Sequence, residues 1–166
     1  MNRLARLLRH LLETRFSTRR RFTPAVLDAV EAAVRAAESN HCGELRVVVE
    51  TDLDATSILA RRSSRERALE VFAALRVWDT AANNGVLIYV LFADRAVEIV
   101  ADRGFNALVR PDEWSAVCRT MEAQFRAGHW REGALAGVES AAALLARHFP
   151  GSARDGNELP DRPVLL

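Results

Sequence analysis

Leucines at positions 4, 7, 8, 11 and 12 recur with the spacing of one helical face, and arginines at 3, 6 and 9 lie between them. This pattern predicts a basic amphipathic helix at the N-terminus. After the run Arg19-Arg20-Arg21, Thr23 stands before Pro24, an N-cap residue followed by a proline where the missing N–H costs nothing. A helix follows, with Val26, Val30, Val34 and Ala37 on its buried face, and residues 40–43 stop it. The β-branched run ELRVVVET, residues 44–51, predicts a largely buried strand.

Ser63 and Glu66 have the spacing of a capping box ahead of an apolar face made by Ala68, Val71, Phe72 and Leu75. That helix is expected to reach Arg76, with residues 55–62 open between helix and loop. GVLIYVLF, residues 85–92, is a second strand, 93–96 a tight turn, and 97–101 a third strand, so the pair reads as a hairpin. Pro111 opens a helix carrying Trp114, Val117, Cys118, Met121 and Phe125 on one face, and Gly128 ends it. A last helix runs from about Trp130 to His148. Residues 150–166 hold three prolines and two glycines and are expected to be extended. Their apolar end, Val164-Leu165-Leu166, points to packing on the domain or on a partner.

The order strand, helix, strand, strand, helices predicts an α/β fold: a small mixed sheet covered by helices, an α/β/α sandwich. The expected organisation is a basic N-terminal helix and linker over 1–22, one α/β domain over 23–149, and a tail over 150–166. A helical crossover between the first two strands favours a parallel, right-handed connection, and the hairpin returns the third strand antiparallel. The starts of strands one and two and the end of strand three then share one end of the sheet. His41 and Glu44, Asp79 with Asn83 and Asn84, and Asp102 with Arg103 are expected to meet there.

Composition narrows the function classes. A chain of 166 residues, 49% hydrophobic, suits a single core. The longest apolar run, Gly85 to Ala93, is strand-sized, too short to cross a bilayer. Arginine and leucine interleave at the N-terminus instead of forming the successive regions of an export signal, so a cytoplasmic protein is expected, peripheral at the membrane if the first helix docks there. Cys42 and Cys118 are too few to form a metal site alone and read as buried thiols. The net charge of +1 conceals an asymmetry: residues 1–22 hold seven arginines against one glutamate, +6, and the remainder holds 16 arginines against 21 acids, −5. The basic end therefore has a separate electrostatic role. Its stripe could dock on the protein's own core, on a protein partner or sister subunit, or on an anionic membrane surface. Nucleic acid is disfavoured, since no reading motif accompanies the basic stretch and the domain behind it is acidic.

Hard cations such as calcium take several oxygen ligands, and Asp79, Asn83, Asn84 and Asp102 would supply them together with backbone carbonyls. The competing reading is turn and cap chemistry, with Asp102 engaged by Arg103 or a nearby helix terminus. No G-x-S-x-G elbow or glycine-rich phosphate loop occurs, and His10, His41, His129 and His148 lack metal-ligand spacing and read as surface or capping residues.

Four blocks in order carry a family resemblance: Glu44 to Glu50, Asn84 to Val90, Val97 to Gly104, and Phe125 to Gly133. Together they resemble the TPM domain across roughly residues 24–149. The resemblance implies a helix-covered mixed sheet, with calcium binding in some relatives and acid phosphatase activity in thylakoid-lumen members, and draws attention to Glu44, Asn84, Asp102 and Gly104. Many relatives are exported and membrane-anchored with a glycine-rich tail; this chain resembles a short cytoplasmic form. Two functions are weighed: a non-catalytic binding or accessory domain, and a metal-assisted phosphate monoester hydrolase. In the second, a cation at Asp79 and Asp102 would polarise the phosphoryl group, Glu44 would act as general base, and Arg103 would steady the phosphate.

Overall fold

The computed structural model describes residues 3–151 and 157–166. Its elements in chain order are α1 (Arg3–Leu12), α2 (Arg15–Arg21), α3 (Pro24–Glu38), β1 (Glu44–Glu50), α4 (Ala55–Leu59), α5 (Ser64–Ala74), β2 (Gly85–Leu91), β3 (Ala96–Ala101), a 3-10 turn (Arg103–Phe105), α6 (Pro111–Ala127), α7 (Trp130–His148) and β4 (Val164–Leu165). The helix starts follow the side chains predicted to cap them. The Thr23 side chain accepts from Val26 N, and Ser63 and Glu66 complete a reciprocal capping box. Gly128 ends α6 at φ +86°, a left-handed conformation that glycine adopts without steric cost.

The sheet order is β3-β2-β1-β4. β1 and β2 run parallel, Glu44 opposite Gly85, and β3 returns antiparallel with Ala101 opposite Val86. This is the predicted α/β/α sandwich. Alternate residues separate its two cores. Leu45, Val47 and Val49 with Val86, Ile88 and Val90 face a core closed by α3, α6 and α7, where Phe125 and Trp130 stack with ring centroids 5.0 Å apart. Val48 with Leu87, Tyr89 and Leu91 face a second core that contains Ile58 of α4 and Ala68 and Val71 of α5.

The second face also buries polar groups. Tyr89, with no exposed surface, donates its hydroxyl to Glu50 Oε2 at 2.5 Å, and Arg67 grips the same carboxylate through Nε (2.9 Å to Oε2) and Nη2 (2.8 Å to Oε1). The carboxylate is shared between strand and helix, so this pair fixes the position of α5 over β2.

The chain's C-terminal segment adds β4 to the free edge of β1, parallel, with Val48 opposite Val164. Residues 157–166 of the tail contain no helix and their apolar end packs on the domain, while the extension expected of residues 152–156 lies outside the described residues. Sequence periodicity did not reveal α2, whose Thr14 side chain caps Ser17 N; polar residues dominate it. Two histidines also depart from expectation. His10 and His41 are buried rather than surface residues, because each lies where chain segments cross. His10 Nδ1 accepts from Leu53 N at 2.9 Å while Nε2 lies 3.1 Å from Asp94 Oδ1, and the His41 backbone bridges to Pro150. The two thiols are only partly buried and are not joined in a disulfide; burial and the nearby Glu98 and Glu122 push Cys118 up to about 11.

Candidate functional site

The topology brings the predicted strand ends together, and the intervening loop is tied to both neighbours. Glu44 N donates to Asn84 O at 3.2 Å, Asp102 N to Gly85 O at 2.9 Å, and Gly104 N to Asn83 O at 3.0 Å. Thr80 holds the loop from within, its Oγ1 accepting from Asn84 N at 3.0 Å. Two glycines allow this close approach. A Cβ on Gly85 would lie 1.9 Å from Val77 O, and one on Gly104 would lie 2.4 Å from Asn83 O. The glycine singled out by resemblance thus has a steric role.

The side chains themselves divide. Asp102 Oδ1 accepts from Arg103 N at 2.7 Å and caps the 3-10 turn, while Oδ2 is buried without a hydrogen-bond partner among the described residues. Asn83 stands at φ +52°, and its Oδ1 accepts from Arg103 Nε at 2.8 Å. Asn84 donates Nδ2 to Cys42 O at 2.6 Å, leaving its buried Oδ1 without a hydrogen-bond partner among the described residues. Continuing the strand alternation one residue past each end assigns Asn84 to the face of Val86 and Asp102 to the face of Val100. The two oxygens therefore lie on opposite sides of the sheet. Asp79 is exposed, in an ion pair with Arg76 at 2.6 Å. Among the described residues, no three of His, Cys, Asp and Glu group as a ready-made metal cluster.

Glu44 occupies a different setting. It is buried beneath the tail, its Oε2 accepting from Leu159 N at 3.0 Å. Burial pushes its pKa above the ordinary carboxylate range, Leu159 N and Glu158 N oppose this by hydrogen bonding, and the charges of Glu158 and Asp161 add to the rise. Nearby Arg46 donates Nη1 to Pro160 O and, at 2.8 Å, to Arg162 O. Asp161 meets Arg35 at 3.1 Å, and Arg162 meets Asp28 and Glu31 at 3.2 and 2.9 Å. Sequence inspection missed these partners; the only signal was an apolar end on a proline-rich tail. His41, also buried, is pushed below the usual histidine range by desolvation.

Arg103 is exposed at the rim, and the strand end offers one carboxylate oxygen unpartnered among the described residues, the Asn83 amide oxygen held by Arg103, and a hydrogen-bonded loop. Such a sheet end, on a helix-covered mixed sheet, defines an α/β/α domain with a polar strand-end loop. The family model described as the TPM domain matches residues 18–144, and the chain belongs to that family. It is similar to the BA42 protein of the psychrophilic bacterium Bizionia argentinensis, whose NMR structure is 33% identical with a TM-score of 0.75 over 87% of this chain and 94% of that one. The N-terminal domain of a protein from P. gingivalis, solved by NMR, shares the fold at 23% identity and a TM-score of 0.60, covering 76% of this chain and 80% of the other. A comparison with curated protein sequences gave no match. Among the described residues no helix is long and apolar enough to cross a membrane.

Proposed function

We propose that this chain is a non-catalytic binding module of TPM type that takes a hard divalent cation, calcium for preference, at the sheet end. The observation that carries this reading is Asp102 Oδ2, a buried carboxylate oxygen with no hydrogen-bond partner among the described residues, next to the loop that holds Asn83. A buried, unpartnered anionic oxygen is costly, and a cation would relieve that cost. Asp102 would be the charged ligand, with Asn83 a neutral one on leaving Arg103 and Asp79 available only by leaving Arg76. So few carboxylates imply weak binding, on the order of 10⁻⁴ to 10⁻³ M. The binding reading is favoured over phosphate ester hydrolysis because Glu44, the base that hydrolysis would use, holds Leu159 N, and Arg103 is engaged by Asn83.

Calorimetric titration of the metal-free protein with calcium tests the proposal. Saturable binding is expected in the wild type and in Asp79→Asn, and its loss in Asp102→Asn. A wild type that binds no calcium refutes it, and loss in Asp79→Asn with retention in Asp102→Asn moves the site to the other carboxylate. Turnover of a simple phosphate monoester that disappears in both variants would replace it with the hydrolase reading.

A further inference from the structure

The N-terminal helix meets the rest of the protein with its polar side. Arg6 pairs with Asp94 at 2.8 Å and donates to Arg62 O at 2.9 Å, and His10 is buried between Leu53 N and Asp94. At about 100° per residue, Leu4, Leu8, Leu11 and Leu12 centre roughly 165° around the helix from Arg6 and His10. Only Leu7, at the flank, reaches the second core. The four leucines are 50–76% exposed, and Phe16 at the start of α2 is 75% exposed. An amphipathic helix ordinarily buries its apolar stripe; here the stripe points outward while ion pairs hold the opposite side.

We propose that this outward stripe is a docking face for an anionic membrane surface. Charge complementarity selects the occupant. Residues 1–22 carry a net +6, and Arg15, Arg19 and Arg20 of α2 are exposed close in sequence to Leu11, Leu12 and Phe16. Leucine and phenylalanine side chains suit the acyl boundary and arginines beside them suit anionic headgroups. A two-fold contact between copies through the same patch would bring these arginines together, which opposes an isologous dimer. The ion pairs to Asp94 pre-orient the stripe, so docking needs no rearrangement of the helix.

The test is co-sedimentation of the full-length protein with vesicles of phosphatidylcholine alone and of phosphatidylcholine with phosphatidylserine. The wild type is expected to sediment with the anionic vesicles, and Leu8→Glu/Leu11→Glu and Arg15→Gln/Arg19→Gln/Arg20→Gln are each expected to bind roughly tenfold more weakly or worse. These positions are exposed, and unchanged thermal unfolding establishes that both variants remain folded. Absence of wild-type binding overturns the proposal, as does binding that neither variant weakens. If the leucine variant instead converts a self-associated wild type to monomer in sedimentation equilibrium, without vesicle binding by either, the face is a contact between copies and the membrane proposal fails. The outcome is independent of the calcium titration, since Asp102 belongs to the sheet end and the stripe to α1.

Discussion

Glu38, the last residue of α3, is placed to make the hold on the C-terminal tail sensitive to pH. Its Oε1 is buried without a hydrogen-bond partner among the described residues. Burial, and then the charges of Asp161 and Glu44, raise its pKa to about 7, with Arg35 opposing. The unfolded chain releases this proton near 4.5. Between those values the folded protein binds a proton that the unfolded chain does not, so stability falls as pH rises. The contribution is fully present below pH 4.5 and gone above about pH 7. A displacement of that size corresponds to at most about 3 kcal/mol. Glu38 keeps some solvent contact, and screening reduces the expected effect to about 1–2 kcal/mol. The perturbation is Glu38→Gln, which removes the titration and keeps the shape. Urea unfolding of both proteins from pH 5 to 8.5 should show the wild type losing about 1–2 kcal/mol relative to the variant as pH rises. Hydrogen exchange should locate the loss at the amides of Leu159 and Leu166, which donate to Glu44 Oε2 and Val49 O. Stability curves that stay parallel across the range would refute the reasoning.

Two further predictions concern what holds the sheet and its polar end. Tyr89→Phe removes the buried hydroxyl donated to Glu50 while leaving the Arg67 pair, and should cost about 1.5–3 kcal/mol in urea unfolding, the worth of a hydrogen bond to a charged group; a loss below about 0.5 kcal/mol would mean that Arg67 alone satisfies the carboxylate. Gly104→Ala forces a Cβ toward Asn83 O and should cost about 1–3 kcal/mol, read as a fall in Tm of about 2–4 °C per kcal/mol. An unchanged Tm would mean that the loop yields freely and that the glycine is not required by space.

What the sequence determined by itself was local. Thr23 with Pro24, Ser63 with Glu66, and Gly128 are capping groups acting within a few residues of themselves, so they mark their helix ends without knowledge of the fold. The β-branched runs marked β1 and β2, and the helical crossover between them constrained the strand directions, which brought Glu44, Asn84 and Asp102 to one end of the sheet. Whether those side chains then shared a face was decided only in three dimensions. Alternation past the strand ends sends Asn84 and Asp102 to opposite sides, and Leu159 N, 115 positions along the chain from Glu44, takes the carboxylate that had suggested a base. Tertiary structure also decided which side of the N-terminal helix faces the domain. The leucine spacing specified a stripe, but Asp94 and Leu53 N, both distant in sequence, bind its polar side and turn that stripe outward. Periodicity records which residues share a face; long-range ion pairs and hydrogen bonds decide which face is buried.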